Sequence, residues 1–204
     1  MFKILVTGFE AFGDYHFNSS WVVAEKVATC VIDGIDIVIE QMPVSFSRAA
    51  DCLYKAVNRH NPDLVILLGQ SSASDCIKLE RVALNIMDSN SADNDGYIPD
   101  EEPIYKNETP AYFTDVPIKY LCSKIKEQGI NVKVSNSCGL YVCNRIYYEA
   151  LKICNKQTST KAIFVHLPLY EGHPSVKSDK IAMSLNDLTK AISIIIKEIY
   201  GKYN

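Results

Sequence analysis

Nothing in this 204-residue chain is apolar for long enough to cross a membrane, and neither sign of charge predominates. The longest apolar stretch, Ala191 to Ile196, is broken by Ser193 and falls far short of a span. Lysine and arginine total 21 against 24 acidic residues, a formal net charge of -3, so the clustered basic surface that nucleic acid needs is missing. Cysteine is plentiful at seven, but the number is odd and no pairs are spaced for zinc or for a disulfide framework. Free thiols and a reducing, cytoplasmic setting are therefore expected, and the sequons at Asn18 and Asn107 carry no meaning there. The opening Met1-Phe2-Lys3-Ile4-Leu5-Val6-Thr7-Gly8 has too short an apolar run for a secretory signal and lacks a small-residue cleavage site. Gly8 to Gly13 has the glycine spacing of a phosphate loop. Asp14 and Tyr15, however, stand where the lysine and hydroxyl would hold phosphate and metal. Neither a cofactor nor a metal is expected.

What is present is a regular alternation of strand and helix signals. Lys3 to Thr7, Ile35 to Glu40, Leu64 to Gly69 and Ala162 to His166 read as buried strands of a parallel sheet. Between them lie helix signals at Asn18 to Ala28, Ser45 to His60, Pro117 to Gln128, Leu140 to Cys154 and Ser184 to Tyr200, several with cap residues at their starts. The pattern predicts an α/β fold, a three-layer α/β/α sandwich around a mostly parallel twisted sheet with right-handed crossovers. Residues 1–204 form a single domain with a long loop insertion at about 84–115, polar at first and then punctuated by Pro99, Pro103 and Pro110. A cover near the site and an ordinary surface loop are equally good readings of that insertion. Ligands in such sheets bind beyond the carboxyl ends of the strands. Loops after Gly8, Gly69, Ser135 and His166 are expected to meet there.

One stretch carries reactive chemistry: Ser135-Asn136-Ser137-Cys138-Gly139-Leu140-Tyr141-Val142-Cys143-Asn144-Arg145. The run Ile130 to Val134 leads into a small polar turn, and the turn opens a helix. Cys143 falls in the first turns of that helix, where the backbone dipole favours an anion. A thiol acts as nucleophile only as thiolate, so it needs a base, and the base needs an orienting group. Of four histidines, only His166 ends a predicted core strand at the active edge. A histidine there is equally at home as a satisfied rim residue. Glu10, Asp75 and Glu80 are the acids within reach of the edge, and Glu80 beside Arg81 also reads as a surface pair. The residues alone point to a cysteine hydrolase without naming its substrate.

Taken together, several segments resemble the pyroglutamyl-peptidase I (pyrrolidone carboxyl peptidase) family of cysteine peptidases. Thr7-Gly8-Phe9-Glu10-Ala11-Phe12-Gly13 is similar to its TGFxPFG opening, and Asn18-Ser19-Ser20-Trp21 to its NPSW. Asp63 to Gln70 resembles its PDxxxxGQ segment, Glu80 to Asn85 its ERVAIN motif, and Pro110 to Lys119 its PAY…PIK pair. Ser135 to Asn144 is similar to SNTAGTYVCN, and Phe164 to Pro168 to FIHVP. The matches run in order through nearly the whole chain.

The resemblance implies a nucleophile at Cys143, a general base and then acid at His166, and an orienting acid at Glu80. It implies removal of an N-terminal pyroglutamyl residue from peptides through a thioester acyl-enzyme. Phe9 and Phe12 would pack the lactam ring, with Gln70 and the Tyr141-Val142 backbone close by. A cytoplasmic homo-oligomer, dimer or tetramer, is implied too, with the Tyr- and Pro-rich insertion as a candidate interface. Four departures stand out. Asn90 takes the place of an arginine, Gln70-Ser71-Ser72-Ala73-Ser74 stands for Gly-Gln-Ala-Gly-Gly without its two final glycines, Ala11 replaces proline, and Cys138 replaces alanine. They motivate an alternative reading: a catalytically weak or inactive homologue that binds pyroglutamyl peptides on the same fold. A nucleoside-phosphorylase-like reading needs an anion site of Arg or Lys, and no motif supplies one.

Overall fold

The computed structural model describes residues 1–13, 15–156, 159–174 and 182–203. The first four elements alternate: β1 (Phe2–Phe9), α1 (Ser19–Ala28), β2 (Ile35–Met42) and α2 (Arg48–His60). β3 (Leu64–Gln70) is followed by three short strands, β4 (Ile77–Glu80), β5 (Val82–Leu84) and β6 (Ala111–Phe113). Then come α3 (Ile118–Lys126), β7 (Val132–Ser135), α4 (Val142–Lys156), β8 (Lys161–Leu167) and α5 (Leu185–Tyr203).

Six strands form one sheet in the order β2-β1-β3-β8-β4-β7, and β5 pairs with β6 in a separate two-stranded sheet. α1, α3 and α5 cover one face of the large sheet, and α2 and α4 cover the other. The three-layer α/β/α expectation therefore holds. β3 is buried along its whole length, as its unbroken apolar run requires. Local sequence sets the helix starts: Asn18 caps α1 by accepting from the Ser20 N–H, and Ser184 Oγ accepts from the Asp187 N–H at the start of α5.

One expectation needs correction. β4 runs antiparallel to β8, and β7 runs parallel to β4. The turn after Ser135 therefore leaves from a strand opposite in direction to β1, β3 and β8, and does not lie at their carboxyl edge. Glu80 ends β4 opposite Phe164, in the interior of β8, which is why its carboxylate is completely buried. The functional edge is a seam between two oppositely directed strands. The 84–115 insertion is fastened at many points. Asp93 accepts from the N–H groups of Phe46, Asp95 and Tyr97, Asn94 donates to Glu10 and to the Ala11 carbonyl, and Asp95 holds Arg48 with two bonds.

Candidate active site

Glu80 and Phe164 are directly paired across the β4–β8 seam, so His166, two residues along β8, projects from the same face. His166 Nδ1 donates to Glu80 Oε1 at 2.9 Å, and Cys143 lies near enough to the imidazole to act on its charge. Nδ1 is taken by the carboxylate, which leaves the other ring nitrogen to the sulfur. Gly69, beside His166 on β3, makes room for this ring: a Cβ there would sit 2.6 Å from Phe164 and 3.1 Å from the His166 ring. Cys143 is the second residue of α4, where backbone N–H groups have no intrahelical acceptor.

The electrostatics of the histidine follow from these neighbours. Burial alone pulls its pKa down, but the neighbouring Cys143 sulfur, together with the Glu80 carboxylate, outweighs it and lifts the value to about 9. At neutral pH the ring is held as an imidazolium between two anion-forming groups. Below the nucleophile, burial drives the Cys138 thiol well above its ordinary range, with further push from Cys143 and Glu80, so Cys138 stays protonated. It donates to Asn144 Oδ1 across 3.7 Å and serves as packing.

A cleft enclosing about 310 Å³, including its mouth, opens directly beside the thiol. Its lining comprises Phe9, Phe12, Asn18, Val44, Gln70, Tyr141, Val142 and Cys143, with no Lys, Arg, Asp or Glu among them. Gln70 is buried, and its Oε1 accepts from the Ser19 N–H at 2.7 Å. That bond decides which way the amide points and leaves Nε2, which has no protein partner among the described residues, as a free donor. Tyr141 stands at the rim, its hydroxyl donating to the Ala92 carbonyl and its ring edge-on to Phe46.

All five residues expected at the substrate side line this one cleft, and Glu80, His166 and Cys143 meet at its end. Asn18 and Val44 also line it and were not among the expected lining residues. Asn18 had an ordinary explanation as a helix cap, which it also fulfils, and Val44 follows Pro43 with no chemistry of its own. Asn90, in the position of the family's arginine, is exposed. The segment that lost its glycines closes an ordinary turn, with Ser74 N–H donating to the Ser71 carbonyl, and none of residues 71–74 takes a positive φ. Among the described residues no group of His, Cys, Asp and Glu is arranged to hold a metal, and no helix is long and apolar enough to cross a membrane.

Comparison with known proteins gives a consistent set of relatives. The family model described as pyroglutamyl peptidase matches residues 2–201. A pyrrolidone-carboxylate peptidase of Thermococcus kodakarensis is 37% identical over 199 residues, covering 97% of this chain and 96% of that one. The crystal structure of the pyrrolidone carboxyl peptidase from Fervidobacterium islandicum superposes with a TM-score of 0.93 at 32% identity, covering 98% of this chain and 99% of the other. That of pyroglutamyl peptidase I from Bacillus amyloliquefaciens gives 0.90 at 32% identity, covering 96% and 95%.

Proposed function

The chain belongs to the pyroglutamyl peptidase family, and we propose that it removes an N-terminal pyroglutamyl residue from peptides, with Cys143, His166 and Glu80 doing the chemistry. The observation that carries this reading is the Glu80–His166 hydrogen bond with Cys143 beside the imidazole, at the end of a small uncharged cleft. The lactam ring lies between Phe9 and Phe12, and its carbonyl takes the free Nε2–H of Gln70. A peptide with an ordinary charged N-terminus has no counter-charge in this lining and pays its full desolvation cost. Selectivity comes from that neutrality together with one fixed donor.

Cys143 sulfur attacks the carbonyl that joins pyroglutamate to the next residue. The resulting oxyanion is met by N–H groups at the start of α4, a donor type worth a few kcal/mol each. His166, holding the proton it has taken from the Cys143 thiol, passes it to the departing amine as the C–N bond breaks and a thioester is left on Cys143. The neutral ring then draws a proton from water, whose attack breaks the C–S bond and frees pyroglutamate, and the ring's proton returns to the departing sulfur to restore the thiol. Glu80 keeps the ring oriented and stabilises its charged form.

The natural setting is proposed to be cytoplasmic, in keeping with the absence of disulfides among all seven cysteines. A homo-oligomer is proposed from exposed Ile98 and Phe113 in the insertion, and sedimentation velocity distinguishes it from a monomer. The function itself is tested with two arylamides, one carrying pyroglutamate and one carrying glutamine with a free amine. Reductant-dependent release from the first and none from the second is expected. Equal release from both, or none from the first, contradicts the proposal. The alternative of a binding-only homologue predicts affinity for the first substrate without release.

A further inference from the structure

α4 carries more than the nucleophile. Asn144, the residue after Cys143, is completely buried and its amide is fully used. Oδ1 accepts from the Leu84 N–H at 2.9 Å and from the Cys138 thiol, while Nδ2 donates to the carbonyls of Leu84 at 2.9 Å and Ile86 at 2.8 Å. Leu84 is therefore held through both its N–H and its C=O, as a neighbouring strand would hold it, and β6 lies on the other side of β5. One turn along the helix, Tyr147 Oη donates to the Glu80 carbonyl at 3.0 Å. Its ring packs against Phe164, which in turn packs against the His166 ring. Asn144 and Tyr147 are three residues apart and so share a helix face.

We infer that Asn144 and Tyr147 are positioning residues for the reaction, fixing the backbone that carries Glu80 to the helix that carries Cys143. Without them, the nucleophile and its orienting acid sit on separate elements: α4 on one side, and the short β4 with its continuation into β5 on the other. The two side chains grip this continuation at Glu80, Leu84 and Ile86, so the Glu80–His166–Cys143 line is assembled around a single helix. Neither residue lines the substrate cleft. The chemistry of Asn144 is specific: its amide both accepts and donates, and a carboxylate of the same shape would face two carbonyl oxygens.

This inference rests on the reading of Cys143, His166 and Glu80 as the reacting set. Its test uses the full chain with Tyr147→Phe and Asn144→Asp. kcat and KM are measured on a pyroglutamyl arylamide, and the His166 pKa is followed by NMR titration. The groups facing His166 are Glu80 from β4 and Cys143 from α4, so a loosened line must register in its titration. For Tyr147→Phe, kcat is expected to fall roughly 10- to 100-fold with KM nearly unchanged. The His166 pKa is expected to drop from about 9 towards its ordinary value. Asn144→Asp is expected to show the same pattern more strongly; if it does not fold, Tyr147→Phe decides alone. Lower thermal stability with wild-type kcat and wild-type His166 titration overturns the inference, as does a rise in KM at constant kcat. An inactive wild-type chain instead counts against the proposed reaction, and the His166 titration still reports on the clamp.

Discussion

Under α1, α3 and α5 the sheet is packed almost entirely with aliphatic side chains, among them Ile66, Val165, Ile192, Ile195 and Ile196. Under α2 and α4 aliphatic residues such as Leu5, Leu53 and Leu67 are joined by the aromatic Phe9, Phe46, Tyr147, Tyr148 and Phe164, and Glu80, Asn144 and His166 are buried as well. The first face needs only volume and apolar surface, which many sequences supply. The second also carries buried donors and acceptors, and leaving one of them unpaired costs about 1–3 kcal/mol. Both sides of the sheet bury apolar side chains, and the proposed chemistry lies on one of them. Substitutions on the two faces are therefore expected to produce different kinds of failure.

The largest expected effect is on the polar face. Cys143→Ala should lower turnover of a pyroglutamyl arylamide by more than roughly 10⁴-fold while the melting temperature stays close to wild type. Retained turnover would remove Cys143 from the chemistry. Next comes Glu80→Gln, which keeps the shape but takes away the charge facing the imidazole. kcat should fall by roughly 10²- to 10⁴-fold, and NMR should show the His166 pKa dropping from about 9. The same group sets a pH window in the wild type. Its folded-state pKa is raised from 6.5 to about 9, so the stability it contributes is complete below pH 6.5 and disappears as pH rises through about 9. Denaturant titrations across that window measure the loss, and Glu80→Gln should flatten it.

On the aliphatic face, Ile196→Ala should cost about 2–5 kcal/mol in urea unfolding and leave kcat per folded molecule unchanged. A changed kcat would show that the two faces are not separable. In the wall of the cleft, Gln70→Leu removes the buried free donor. It should reduce kcat/KM by roughly 10-fold, mostly through KM. The smallest effect belongs to Arg48→Met, which breaks the exposed pair with Asp95. kcat/KM should stay within about twofold, since surface ion pairs contribute little.

The regular elements of both faces were readable from periodicity alone. Strands such as Leu64 to Gly69 and the spacing of Phe46, Ala49, Leu53 and Val57 carry strong signals, and the observed elements lie within a few residues of those expected. The seam at β4 was not readable, because four residues of strand, and three each in β5 and β6, are too short to show a period. The burial of Glu80 depended on that seam, so charge and neighbours alone left it level with Glu10 and Asp75. Resemblance to a family singled it out, and geometry supplied the reason. Asn144 was visible only as a letter of a motif, since its partners at 84–86 are 58 or more residues away. Val44 and Asn18 escaped notice as cleft walls because a wall residue needs only to be well placed.

The central claim is that Cys143 forms a covalent bond to the pyroglutamyl group during turnover. Acid quenching of wild-type enzyme during hydrolysis of a pyroglutamyl arylamide, followed by peptide mass spectrometry, tests it directly. The expected result is the mass of one pyroglutamyl group on the peptide containing Cys143, absent when Cys143 is replaced by alanine. Steady turnover with the group found on another residue, or with the alanine variant hydrolysing the substrate at the wild-type rate, would contradict it.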